Sequence, residues 1–203
     1  MISNRMMVKN RSLAQVLQEA VEGGVDAFLL REPDLSDSVL YTVASHMREL
    51  TLNLGVKLLV SKRVDLCLAV GADGVHLNDE SIPVSKAREL LGDQGLIGYS
   101  AHSPEEVRTL AGGGVDYCTL SPIFHTRSKP MALPLTPRAL SEARSEIPVF
   151  ALGGIDREER VREVIEAGAR GIAVMSAVLT AASPREKAAE LAKGLAACEE
   201  MGE

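Results

Sequence analysis

Leu96–Glu106 reads LIGYSAHSPEE. Leu96, Ile97 and Tyr99 suit a strand. Ser103 then reads as a helix N-cap, with Pro104 at the first helical position and Glu106 three residues beyond the cap. A strand that hands over at once to a helix is the building unit of a parallel sheet. Ser100 and His102 therefore fall at the C-terminal end of a parallel strand, where such proteins build their sites. His102 is the candidate for proton-transfer chemistry. The plainer alternative is a loop histidine that only hydrogen-bonds.

The same unit recurs on both sides of this stretch. Apolar runs predict strands over 25–30, 56–60, 74–77, 115–120, 148–152 and 171–175. Helical spacing and caps predict helices after position 13, from 37 to about 52, 63–70, 83–91, from Thr136-Pro137, from Asp156 with Glu159 as its box, and from Ser183. The strands are continuous apolar runs, as expected for a parallel sheet covered on both faces. Gly24-Val25-Asp26, Gly71-Ala72-Asp73, Gly114-Val115-Asp116 and Gly168-Ala169-Arg170 each precede a strand, at intervals of 47, 43 and 54 residues. Each interval holds two strand–helix units, which predicts a (β/α)8 TIM barrel in one domain over 1–203. A doubly wound open sheet is the alternative. The first strand has to lie within residues 1–4, so it is short or truncated. The repeated glycines are assigned to left-handed helix ends, not to function.

Composition excludes several classes. A formal charge of −6 with no basic stripe argues against nucleic acid. Aromatic residues make up 3% and tryptophan is absent, so base stacking is poorly provided for. No apolar run reaches membrane-spanning length, and the N-terminus is read as lacking a signal peptide. Cys67, Cys118 and Cys198 are odd in number and far apart, which suggests reduced thiols in a cytoplasm.

In a barrel the strand ends supply the working residues. Here they are Arg31 with Glu32, Ser61 to Arg63, Asn78 to Glu80, Ser100 with His102, His125 and Thr126 with Ser128 and Lys129, Gly153-Gly154, and Met175 to Ala177. The Gly153-Gly154 turn and the Met175-Ser176 helix start suggest a phosphate site, because loops after the last two barrel strands commonly bind one. Thr126, Ser128 and Lys129 are placed in a loop able to close over the anion. Lys62 or Arg31 is placed to pair with a substrate carboxylate. His46 is expected on a helix surface and His76 in a satisfied structural role.

LLRE, KRVDLCLAVGADGVHL, IGYSAHSPEE, DYCTLSPIFHTRSK, IPVFALGGI and AGARGIAVMSAV occur in one order over nearly the whole chain. As an ordered set they resemble the thiamine phosphate synthase superfamily, which includes the synthases and the TenI-type thiazole tautomerases. The resemblance implies a barrel in thiamine biosynthesis that binds a phosphorylated thiazole at Gly153-Gly154 and Met175-Ser176. It also suggests a homodimer. Synthases of the superfamily carry Gln-x-Arg-x-Lys where this chain has Leu29, Arg31 and Pro33. They carry Asn-Asp where it has Ser61 and Lys62, and a second Asp where it has Ser81. Those aspartates hold magnesium, and a lysine ammonium repels it.

The departures favour a thiazole tautomerase, an isomerase that aromatises a thiazole carboxylate phosphate by proton transfer. That reaction needs no metal or other cofactor and assigns His102 as the acid–base. A divergent thiamine phosphate synthase, a transferase that couples the thiazole phosphate to hydroxymethylpyrimidine pyrophosphate with Mg2+, is the second reading. A non-catalytic binder of thiazole or thiamine phosphate is the third.

Overall fold

A computed structural model describes residues 1–126 and 130–199. Seven parallel strands follow one another around a single sheet in chain order. They are β1 (Ala27–Leu30), β2 (Lys57–Ser61), β3 (Gly74–Leu77), β4 (Leu96–Ala101), β5 (Tyr117–Leu120), β6 (Val149–Leu152) and β7 (Gly171–Ala173). Helices connect them on the outside: α1 (Leu13–Glu22), α2 (Asp37–Leu54), α3 (Val64–Val70), α4 (Val84–Leu91), α5 (Pro104–Leu110), α6 (Arg138–Ala143), α7 (Glu158–Glu166), α8 (Ser176–Leu179) and α9 (Pro184–Glu199). This is a TIM-like α/β fold, and the open-sheet alternative falls away because the two sheet edges meet. Residues 1–3 lie between them: the Ile2 amide donates to the Val174 carbonyl at 2.8 Å, and the Ser3 amide to the Leu29 carbonyl at 2.9 Å. The expected first strand is thus a single bridge, Ile2 to Leu29.

Alternation along the strands sorts the core into two parts. Outward residues such as Phe28, Leu58, Val60, Val75 and Ile97 pack under the helices. Inward residues fill the barrel: Ile2, Leu29 and Leu59 are buried together, with Leu96, Tyr117, Leu152 and Met175 packed against them. The core is aliphatic, as the scarcity of aromatics requires.

The repeated glycine tripeptides, three Gly-x-Asp and one Gly-Ala-Arg, are structural. Gly24, Gly71, Gly114 and Gly168 all have positive φ, a conformation that glycine reaches without steric cost. The aspartates stitch neighbouring strand starts. Asp73 accepts from the Leu58 amide at 2.8 Å, and Asp116 from the Ile97 amide at 2.7 Å. Arg48 and Arg88 pair with these two carboxylates. The expectation for Asp156 is corrected. Helix α7 begins at Glu158 with Arg157 in the cap position, and the Asp156 carboxylate instead pairs with Arg157 and Arg160. Two guanidiniums outcompete a backbone amide for it.

Candidate functional site

Because every strand is parallel, the predicted site residues among those described gather toward one end of the sheet. Ser103 caps α5 by accepting from the Glu106 amide, and the Glu106 carboxylate accepts from the His102 amide at 2.6 Å. His102 is exposed at this junction, immediately past β4. Arg31 is exposed just beyond β1, its amide donating to Ser3 Oγ at 2.8 Å. Its neighbour Glu32 is buried and binds Arg5 through both backbone and guanidinium.

Below the rim the barrel encloses a polar chain that runs across three strands. Register places His76 beside Gly98, Gly98 beside Tyr117, and Ser100 beside Thr119. His76 Nδ1 lies 3.0 Å from the Tyr117 hydroxyl, and Nε2 lies 2.9 Å from Ser100 Oγ. Burial lowers the His76 pKa to about 4, so the ring is neutral, and raises that of the Tyr117 phenol, which keeps its proton. The arrangement that pairs the buried hydrogens has Tyr117 donating to Nδ1 and Nε2–H donating to Ser100 Oγ. Ser100 then keeps its own hydroxyl hydrogen for a group above it. Gly98 makes this possible, since a Cβ there would lie 2.2 Å from the Tyr117 ring. His76 therefore has the structural role expected of it, and His46 is exposed on α2 as expected. The link from His76 to Ser100 and Tyr117 was not visible in the sequence; the glycine of G-x-S-x-H was its one signal.

The glycine turn after β6 is held from two sides. Gly153 and Gly154 have φ of 102° and 71°. A Cβ on Gly154 would lie 2.5 Å from the His125 carbonyl oxygen. The Phe124 amide donates to the Gly153 carbonyl at 3.0 Å, and Arg160 from α7 donates to the Gly154 carbonyl at 2.5 Å. The pair thus serves the close approach of the loop after β5, and this contact brings Thr126 toward the turn. Ser128 and Lys129 lie outside the described residues. Met175 occupies the cap position of α8, which starts at Ser176.

Lys62 does not point to an unmatched region of the rim. It sits just past β2, its amide donates to the His76 carbonyl at 2.9 Å, and its ammonium pairs with Glu80. Glu80 belongs to the turn after β3. There Ser81 Oγ accepts from the Asn78 amide at 3.0 Å and donates to Asn78 Oδ1 at 2.9 Å.

A family model described as thiamine monophosphate synthase matches residues 1–178. The chain belongs to the thiamine monophosphate synthase family. It is 41% identical to a protein of Geobacter sulfurreducens named as a candidate thiamine-phosphate synthase, over 94% of this chain and 91% of that protein. It is 36% identical to the thiamine-phosphate synthase of Clostridium acetobutylicum, over 93% and 90% of the two chains. The solved structure of a thiamine phosphate pyrophosphorylase from Pyrococcus furiosus superposes with a TM-score of 0.86 at 32% identity, covering 97% of this chain and 94% of that one.

These relatives overturn the tautomerase expectation, and with it the isomerase class. That expectation weighed a few substituted rim positions. The similarity to synthases instead runs through nearly the entire chain. Substitutions at the rim change how substrate charge is met, and they do not by themselves change the class of reaction.

The family implies magnesium at this rim. No group of three or more His, Cys, Asp or Glu side chains is placed to hold a metal among the described residues. At the ends of β2 and β3, Ser61 and Lys62 offer an alcohol and a cation, Ser81 is closed onto Asn78, Glu80 pairs with Lys62, and Asp79 adds a single exposed carboxylate. A hard divalent cation prefers carboxylate oxygens, so this donor set does not fit a dedicated magnesium site. No helix of the described residues is long and apolar enough to cross a membrane.

Proposed function

We propose that the protein is a thiamine-phosphate synthase. It joins a phosphorylated thiazole to hydroxymethylpyrimidine pyrophosphate and releases pyrophosphate. The new bond forms between the thiazole nitrogen and the pyrimidine methylene carbon as the carbon–oxygen bond to pyrophosphate breaks. The observation that carries this reading is the near full-length similarity to synthases, at 36% identity to one relative and 32% to one solved structure.

Three parts of the rim take named roles. The Gly153-Gly154 turn and the Met175-Ser176 amides receive the thiazole phosphate, since the amides of a positive-φ glycine turn and of a helix start suit an anion. Ser100, with its oxygen engaged by His76, offers its hydroxyl hydrogen to a substrate oxygen or nitrogen. Arg31 and Lys62 meet the pyrophosphate. Thr126 follows His125 in the loop beside the glycine turn. Negative charge grows on the departing pyrophosphate, so fixed positive groups aimed there lower the barrier.

The test is turnover of the purified protein with both substrates, following thiamine phosphate and pyrophosphate together by chromatography. Equal amounts of the two products are expected. Binding of the thiazole phosphate without either product would refute the reading.

A further inference from the structure

We propose that Lys62 is a resident cation of this site, standing where a divalent metal would otherwise meet the pyrophosphate, with Glu80 as its counter-ion until the anion arrives. This rests on the coupling reaction proposed above and states how its leaving group is held.

The geometry singles out Lys62 in three ways. First, its φ is +64°, one of three such non-glycine residues among those described. A left-handed backbone is disfavoured for a lysine and is tolerated where a site over-determines it. The hydrogen bond from the Lys62 amide to the His76 carbonyl does so here, tying the residue to β3. Second, the counter-ion is replaceable. Glu80 is exposed, as is much of the Lys62 side chain, and an exposed ion pair of this kind is weak. A polyanion carries more charge than one carboxylate and displaces it. The neighbouring Arg63 is committed elsewhere, holding Asp37 at 2.6 Å and Asp65 at 2.7 Å. Third, the turn that carries Glu80 is closed on itself by Asn78 and Ser81, so Glu80 is presented to Lys62 from a fixed backbone.

The consequence is that anion binding at this rim does not depend on magnesium. The probe is inorganic pyrophosphate, titrated into the full chain by calorimetry in EDTA and again in excess Mg2+. Wild type is expected to bind in EDTA, and excess magnesium, which itself complexes pyrophosphate, should not tighten the binding. Lys62→Asn keeps a residue that tolerates positive φ and removes the charge; it is expected to weaken binding about tenfold or more, the scale of one charged hydrogen bond. Glu80→Gln frees the ammonium and is expected to tighten binding. Lys62→Arg, with circular dichroism on every variant, guards against a folding defect: it keeps the charge and should bind.

Magnesium-dependent binding in wild type, no binding in either condition, or a folded Lys62→Asn that binds as well as wild type would each overturn the proposal. Parallel coupling assays separate the two readings. Coupling that persists with magnesium-dependent pyrophosphate binding rejects the resident cation and keeps the synthase. Metal-independent binding without coupling keeps the anion site and rejects the synthase.

Discussion

His76 makes the stability of this barrel depend on pH in a window that can be set in advance. Its ring is buried between β4 and β5, and burial lowers its pKa from 6.5 to about 4. The folded value lies below the unfolded one, so the unfolded chain takes the proton first as pH falls. Stability from the neutral ring is complete above the unfolded value and is lost as pH falls toward the folded value. The full shift corresponds to about 3 kcal/mol, and about 2 kcal/mol of it is gone by about pH 5 relative to about pH 7.5. Urea unfolding at those two pH values measures it. His76→Gln removes the titration, so the fall in stability over this interval should shrink by about 2 kcal/mol, whatever the variant costs at neutral pH. Carboxylates held low by ion pairs, such as Asp34 beside Arg5 and Glu80 beside Lys62, titrate in a lower window and do not mimic the effect. An unchanged pH slope in His76→Gln would show that the folded ring takes up its proton readily, and the burial argument would fail.

Three further outcomes follow from the same packing. Tyr117→Phe leaves His76 Nδ1 without its buried partner and should lower stability by about 1–3 kcal/mol at neutral pH, read from the urea midpoint. Gly154→Ala places a Cβ against the His125 carbonyl at a positive φ; coupling activity should drop sharply, with a loss of more than about 1 kcal/mol in thermal or urea stability. Cys67 and Cys118 are buried, and burial raises each thiol to about 11. In a Cys198→Ser background neither should react with a thiol reagent at neutral pH until the chain is unfolded, and rapid labelling of the native protein would contradict their burial.

The alternation of apolar runs, caps and Gly-x-Asp tripeptides was legible because each depends on neighbours close in sequence. The strand expected over 74–77 is found there, and the expected Ser103 cap of α5 is present. The predicted structural role of the repeated glycines matches their positive φ. The rim was legible as a set of strand-end positions and less so as a set of interactions. Strand ends could be read off in order, and in a parallel barrel they share one rim. That Lys62 answers Glu80 from the next loop was not readable, because the two lie 18 residues apart and meet only when β2 and β3 pair. The isomerase expectation failed for a related reason: residue types at five rim positions do not reveal which neighbours compensate for them.

The sequence by itself determined the parallel barrel. Its apolar runs are buried on both faces, and its helix starts and left-handed glycines follow local rules of hydrogen bonding and sterics. Only the tertiary structure decided how the ring closes through Ile2, why Gly98 must lack a side chain, and which groups face one another within it. Those contacts join residues distant in the chain, and strand register, set by packing of the whole sheet, chooses the partners.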